Sequence, residues 1–245
     1  MMIKKGTNNL SNCDFHSGET ILIDKPIDWT SFDVVNKIRS ATGVKKVGHA
    51  GTLDPKATGL LIICTGKKTK EISRFQDLEK TYSGTILLGV KSKSMDLETE
   101  LVGSYDLSLI KDEDIHNASK NFIGSIKQTP PMYSAIKHKG KSLYNIARKG
   151  KTINLEPREI TVTRFNILKI NLPYINFEIT CSKGTYIRSI ANDLGELLGC
   201  GAVLYYLRRT AIGNFSVDDA LLISEFVQLI KEQKSLNEKV MTEIN

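Results

Sequence analysis

One carboxylate, Asp54, sits in the run Gly48-His49-Ala50-Gly51-Thr52-Leu53-Asp54-Pro55-Lys56-Ala57-Thr58-Gly59, whose other members are mostly small, basic or backbone-shaping. A side chain presented by such a loop is a candidate nucleophile. Pro55 biases Asp54 toward extended backbone, and Gly48, Gly51 and Gly59 supply turns and let a bulky ligand come close. Asp-Pro is also an ordinary turn initiator. On spacing alone a surface turn is the commoner outcome, so the rest of the chain has to decide.

Other chemistries find little support. Gly66-Lys67-Lys68-Thr69 resembles the end of a phosphate-binding loop, but the preceding glycine is misplaced and Lys68 stands where Ser or Thr belongs. There is no GxGxxG dinucleotide fingerprint, and His16, His49, His116 and His138 are scattered. Cys13, Cys64, Cys181 and Cys200 form no CxxC pair and have no histidine at ligand spacing, which points to reduced core thiols rather than zinc ligands or disulfides. The expectation is therefore a site with no cofactor and no metal.

The elements that must position Asp54 follow from periodicity. Residues 20–24 read as a strand, and Ser31 can cap a helix to about residue 41 with Phe32, Val35 and Ile38 on one face. A buried strand is expected at 60–64, a helix at 69–75, and a long strand at 81–90 with Tyr82, Gly84, Ile86 and Leu88 on one side. A helix at 112–122 precedes a stiff loop at 128–135, where Pro130 and Pro131 remove donors and fix φ. A basic helix at 142–148, antiparallel strands at 158–170 and 174–181, a helix at 185–198 and a strand at 201–212 follow. One or two helices are expected from 217 to about 240. The pattern predicts a single α+β body with a mixed, mainly antiparallel sheet flanked by helices.

The 245 residues are 40% hydrophobic, enough for an ordinary core, and carry a net charge of +7. The excess lies in clusters: Lys45-Lys46, Lys67-Lys68 with Lys70, Lys137 to Lys141, Arg148 to Lys151, and Arg208-Arg209. Any one cluster is ordinarily a solvated surface, but their distribution beside glycine and tyrosine suits a nucleic acid touched at many points. No apolar run approaches the roughly 20 residues of a membrane span, and residues 1–18 are polar without a signal-peptide core. A cytoplasmic protein without a membrane contact is expected, and a monomer.

The loop around Asp54 resembles the catalytic motif of the TruB-type tRNA pseudouridine synthases, and further segments match in the same order. They are Lys25-Pro26 with Thr30-Ser31, Lys80-Thr81-Tyr82, the stretch from Gly89 to Asp96, Gln128 to Ala135 with Lys137, Gly140, Leu143-Tyr144 and Ala147-Arg148, then Cys181 to Arg188 and Leu207-Arg208-Arg209. The resemblance spans residues 20–213. It implies a pseudouridine-synthase fold and isomerisation of the uridine at position 55 in the T loop of tRNA, with help in tRNA folding as a second role. Chemically, the N1 to C1′ bond breaks, the base turns and C5 takes the place of N1, with an aspartate holding one fragment.

By this resemblance Asp54 is the nucleophile, Arg188 the arginine that keeps the aspartate ionised and oriented, and Tyr82 the ring that stacks on the flipped base. Asp96 joins the network near the site, His49 enters the RNA loop, and Tyr186 and Leu207 form walls. Lys25 and Pro26 support the loop, with Lys25 also placed to reach RNA. The expected partner is the tRNA T stem-loop.

The same resemblance divides the chain into a flexible tail at 1–18, a catalytic core at 19–213 and a helical segment at 214–245 without the PUA-type RNA-binding domain of many relatives. It departs from the family at Asp28, where the pattern has glycine. Two other readings stay open: the same chemistry on ribosomal or guide-selected RNA, and an RNA-folding protein in which chemistry is secondary.

Overall fold

A computed structural model describes the backbone of residues 1–244 and the side chains of residues 1–236. The secondary structure is the expected mixture of a mainly antiparallel sheet and flanking helices, but the expected single body separates into two compact units. Met1–Lys80 with the segment from Arg208 onward makes the first, and Thr81–Leu207 makes the second. The strand Ala202–Ile212 passes from one unit to the other.

In the first unit the strand Thr20–Lys25 pairs antiparallel with Ala57–Thr65, with Ile21 opposite Ile63 and Lys25 opposite Gly59. It also pairs in parallel with Met2–Ile3 and with Leu221–Leu222. Val47–His49 pairs with the far end of Ala57–Thr65. Alternation divides the strand between two cores. Ile21 and Ile23 join Val34, Val35, Ile38, Phe226 and Ile230, whereas Leu22 joins Leu60, Ile62, Ile212 and Val217.

The helix Ser31–Thr42 begins one residue before the expected cap takes effect, because Thr30 rather than Ser31 is the N-cap. The Thr30 side chain accepts from Asp33 N–H, and the Asp33 carboxylate accepts from Thr30 N–H in return. Gly43 ends the helix in the left-handed conformation. Ser31 is thereby released to bond the backbone of Leu53. Phe32, expected inward, is 56% exposed beneath the Arg39 guanidinium.

Residues 1–18 are not the flexible tail expected. Ile3 and Leu10 are buried, and Phe15 stands edge-on to Phe226. These few apolar residues have no regular spacing, so periodicity could not find them. They gain their burial from a sheet edge and from the helix Ile223–Ile244. That helix follows a single 3-10 turn at Val217–Asp219 and the short strand Leu221–Leu222, which the expected all-helical segment lacked.

In the second unit the strand order is Gly124–Gln128, Arg158–Asn171, Tyr174–Cys181, Lys80–Leu88, then the first part of Ala202–Ile212. Arg158–Asn171 and Tyr174–Cys181 pair antiparallel, as expected, and Gly124–Gln128, a strand the sequence did not suggest, pairs antiparallel with the outer side of Arg158–Asn171. Tyr82, Gly84, Ile86 and Leu88 alternate inward along Lys80–Leu88. Phe122, Phe165 and Phe177 pack edge to face through this core. Helices Asp112–Lys120 and Ile187–Leu197 are each shorter than expected by a turn or less.

Candidate catalytic site

Within the first unit, the loop from Gly51 to Pro55 is held at almost every backbone carbonyl. Arg209 donates from Nη2 to Gly51 O (3.2 Å), from Nη1 to Thr52 O (3.5 Å) and from Nε to Leu60 O (2.8 Å). Ser31 Oγ accepts Leu53 N–H (2.9 Å) and lies 3.2 Å from Leu53 O. Pro55 O accepts from Asp28 N–H (2.9 Å) and from Lys25 Nζ (3.3 Å). Asp54 itself is partly exposed, and its carbonyl accepts Ala57 N–H. A carboxylate at the tip of a loop pinned on both sides keeps its direction, which is what a positioned nucleophile needs.

Gly59 permits this arrangement. Its φ is +105°, and a Cβ there would meet the backbone of Arg209 at 2.2 Å. The strand bearing Arg209 can lie this close only against glycine, which brings the guanidinium under the loop. Asp28 stands at φ +63°, the conformation glycine adopts readily. The glycine-like turn is therefore retained despite the different residue, and the Asp28 carboxylate pairs with Lys56 at 2.7 Å.

Lys25 is 0% exposed, and its ammonium also donates to Pro26 O (2.9 Å) and Trp29 O (2.6 Å). It braces the loop; its expected reach to RNA is closed off by this burial. Burial lowers its pKa to about 8, against the opposing pull of the Asp54 and Asp28 charges. With a folded pKa near 8 and an unfolded one near 10.5, the unfolded chain binds more protons between those pH values, so stability rises with pH across that window. The gain is on the order of 3 kcal/mol. Urea unfolding of the wild type and of Lys25→Met between pH 7.5 and 10 measures it: the upward slope is expected in the wild type and is smaller in the variant.

His49, at the end of Val47–His49, is half-buried, and burial pushes its imidazole below the ordinary range with the Arg209 charge adding to the effect. The Arg208-Arg209 pair, expected to hold RNA at the surface, is instead turned toward the protein. Arg208 makes a two-pronged pair with Asp24, at 2.6 and 3.0 Å, and Arg209 is 1% exposed. The signal available in sequence was the period of two that sets Arg209 on the same strand face as the buried Leu207.

In the second unit, Arg188 opens the helix Ile187–Leu197 and is buried. Its Nε lies 3.6 Å from Asp96 Oδ2, Nη1 donates to Ser94 O (3.1 Å) and Nη2 to Tyr133 O (2.9 Å). Tyr186, just before it, exchanges two hydrogen bonds with the buried Gln128, N–H to Oε1 at 2.8 Å and Nε2 to O at 3.0 Å. Gln128 thereby sets where the helix starts, a role that the sequence alone did not suggest. Tyr82 and Leu207 are each 8% exposed. Asp96 and Arg188 are thus brought into one network, with Tyr186 tied to Gln128 in the same unit, while Lys25, His49 and Asp54 share the first.

The basic hairpin and helix after the proline loop are open to solvent: Lys137, Lys139, Lys141, Arg148, Lys149 and Lys151 are all exposed. Among the described residues no helix is long and apolar enough to cross a membrane. Cys64, Cys181 and Cys200 are buried, and burial drives the Cys64 thiol up to about 11, which leaves it unreactive at neutral pH.

Comparison with known proteins adds an independent line. The model of the TruB family pseudouridylate synthase N-terminal domain matches residues 39–187, and that of the tRNA pseudouridylate synthase B C-terminal domain matches residues 188–244. The chain is 49% identical over 236 residues to the tRNA pseudouridine synthase B of Chloroherpeton thalassium, covering 94% of this chain and 98% of that protein. It is 46% identical over 225 residues to the tRNA pseudouridine synthase B of Flavobacterium johnsoniae, covering 89% and 98%.

Among solved structures, a Cbf5-Nop10-Gar1 complex contains a chain with TM-score 0.68 and 28% identity, matched over 87% of this chain. An H/ACA RNP bound to a substrate RNA containing 2′-deoxyuridine contains another, with TM-score 0.65 and 26% identity. This chain spans about half the length of each, 54% and 53%.

Proposed function

This chain belongs to the TruB family of pseudouridylate synthases, which isomerise uridine to pseudouridine in tRNA, and we propose that it acts on the uridine at position 55 in the T loop. The observation that carries the reading is the pinned loop. Gly51, Thr52, Leu53 and Pro55 all have their carbonyls engaged by Arg209, Ser31, Lys25 and Asp28, leaving the Asp54 side chain at a fixed, partly exposed tip.

The reaction rearranges one nucleotide without adding or removing atoms. The N1–C1′ bond breaks, the base rotates, C5 bonds to C1′, the C5 proton departs and N1 gains one. Asp54 attacks ribose C1′ or base C6, or takes the C2′ proton in a glycal route; each requires an ionised carboxylate held in place. Tyr82 stacks on the extruded base and takes the C5 proton, Arg188 supplies the fixed cation, and Asp96 orients it. His49, Tyr186 and Leu207 contact the turned-out RNA loop, and the exposed lysines and arginines of residues 137–151 meet phosphates. Cytoplasmic action as a monomer completes the reading.

Tritium release from C5-labelled uridine in unmodified tRNA tests it, with carbodiimide-dependent primer extension to map the product. Release with one new stop, in the T loop, is expected. A chain that binds this tRNA and releases no tritium would leave only the RNA-folding reading, and stops elsewhere would reassign the substrate.

A further inference from the structure

A ring of contacts in the second unit joins the Arg188 network to the exposed basic segment. Arg188 touches Asp96 Oδ2 and the Tyr133 carbonyl. The other carboxylate oxygen of Asp96 accepts Glu98 N–H at 3.0 Å. Glu98 Oε1 accepts the Tyr144 hydroxyl at 2.6 Å. The Tyr144 ring stands edge-on to Tyr133, with centroids 5.9 Å apart, and its N–H donates to Ser134 O at 3.0 Å. Tyr144 lies in the short helix Leu143–Ala147, directly after the hairpin of Lys137–His138 and Lys141–Ser142. The Arg148 guanidinium lies 5.9 Å from the Tyr144 ring centroid.

We propose that the Tyr144–Glu98 hydrogen bond is a latch that positions Arg188, tying the basic hairpin and its helix to the loop that carries Ser94 and Asp96. The inference rests on the synthase reading of this site. Arg188 has partners on both sides of the latch: Ser94 and Asp96 on one, Tyr133 on the other. If the two sides part, the guanidinium keeps one set and loses the other.

The bond does not belong to the core. Its two side chains are at the surface and come from positions 46 residues apart in sequence, so water competes for both ends and the bond opens at small cost. Glu98 is also an acidic group bonded to the segment that carries six exposed cations, and its charge opposes the phosphates those cations attract. Its hydrogen bond to Tyr144 gives it a purpose that electrostatics alone would not. That bond also pushes the Tyr144 phenol above its ordinary pKa, so the hydroxyl remains the donor at neutral pH. Tyr144 and Glu98 are positioning residues: neither has to touch the uridine.

The test uses the full chain with unmodified tRNA. Tyr144→Phe keeps the ring and removes the hydroxyl, Glu98→Ala removes the acceptor, and Glu98→Gln keeps an acceptor. Tritium release gives kcat and KM, and trypsin cleavage within residues 137–151 reports opening of the hairpin. Loss of the bond is expected to lower kcat about three- to tenfold with KM for tRNA within about twofold. Cleavage becomes several times faster, and Glu98→Gln restores kcat to within about twofold of wild type.

An unchanged kcat in Tyr144→Phe and Glu98→Ala overturns the latch. So does a rise in KM alone, which would make Tyr144 an RNA contact, or a kcat loss that follows a fall in melting temperature. Absence of tritium release by the wild type would instead remove the synthase reading, and the latch with it.

Discussion

Asp54→Asn is expected to lower single-turnover tritium release from the T-loop uridine by at least about 10⁴-fold while leaving tRNA affinity within a few-fold of wild type. The amide has the shape of the carboxylate but cannot attack carbon or accept a proton as an anion. The loop is expected to keep its form, because its carbonyls are held by Arg209, Ser31, Lys25 and Asp28. Filter binding on the same preparation separates the two readouts. A variant that retains even a tenth of the wild-type rate would exclude Asp54 as the nucleophile. Loss of both rate and affinity would mean that the loop has moved.

The second large effect falls on a residue buried beneath the loop that carries Asp54. Arg209→Met removes the donors to Gly51 O, Thr52 O and Leu60 O from a site with 1% exposure. Methionine fills much of the volume, but a buried carbonyl that loses its partner, as Leu60 O does, costs about 1–3 kcal/mol before relaxation, and the part-buried Gly51 and Thr52 carbonyls add to it. A net loss of about 3–5 kcal/mol is expected, comparable to breaking a buried ionic contact. For a chain of this size that lowers the melting temperature by roughly 6–20 °C. Tritium release should fall steeply even below the new melting temperature, since the loop that aims Asp54 has lost its floor.

Arg209→Lys is expected to rescue little. One ammonium cannot reproduce a planar fork that reaches three carbonyls on two segments. Lys149→Met, an exposed change in the basic segment, serves as the contrast and should leave the melting temperature within about 1 °C. If Arg209→Met instead melts like wild type and only binds tRNA more weakly, Arg209 is an RNA contact and the account of the pinned loop fails.

Arg209 also shows where reading the chain as a string of residue types breaks down. Two adjacent arginines near a glycine and tyrosines look like a phosphate clamp, because charge in sequence is normally charge at the surface. Here Gly59 lets the Arg209 backbone come close, and the strand period turns the side chain inward. Lys25 repeats the lesson: a lysine in a Lys-Pro motif is buried entirely because three carbonyls converge on it. Residues 1–18 fail in the opposite direction, with a polar average concealing Ile3, Leu10 and Phe15.

What the chain determined by itself was local and periodic. Alternation marked the strand Lys80–Leu88, two prolines marked the shaped loop after Gln128, and the glycines around Asp54 marked a loop able to present a carboxylate. Those signals depend on φ, ψ and the period of burial, which neighbouring residues dictate. Tertiary structure alone decided which donors secure that loop, which arginines are solvated, and that Glu98 meets Tyr144. Each of these joins residues tens to more than a hundred positions apart. Such pairings depend on strand order and on how closely two backbones can approach, and neither is written in the spacing of residues along the chain.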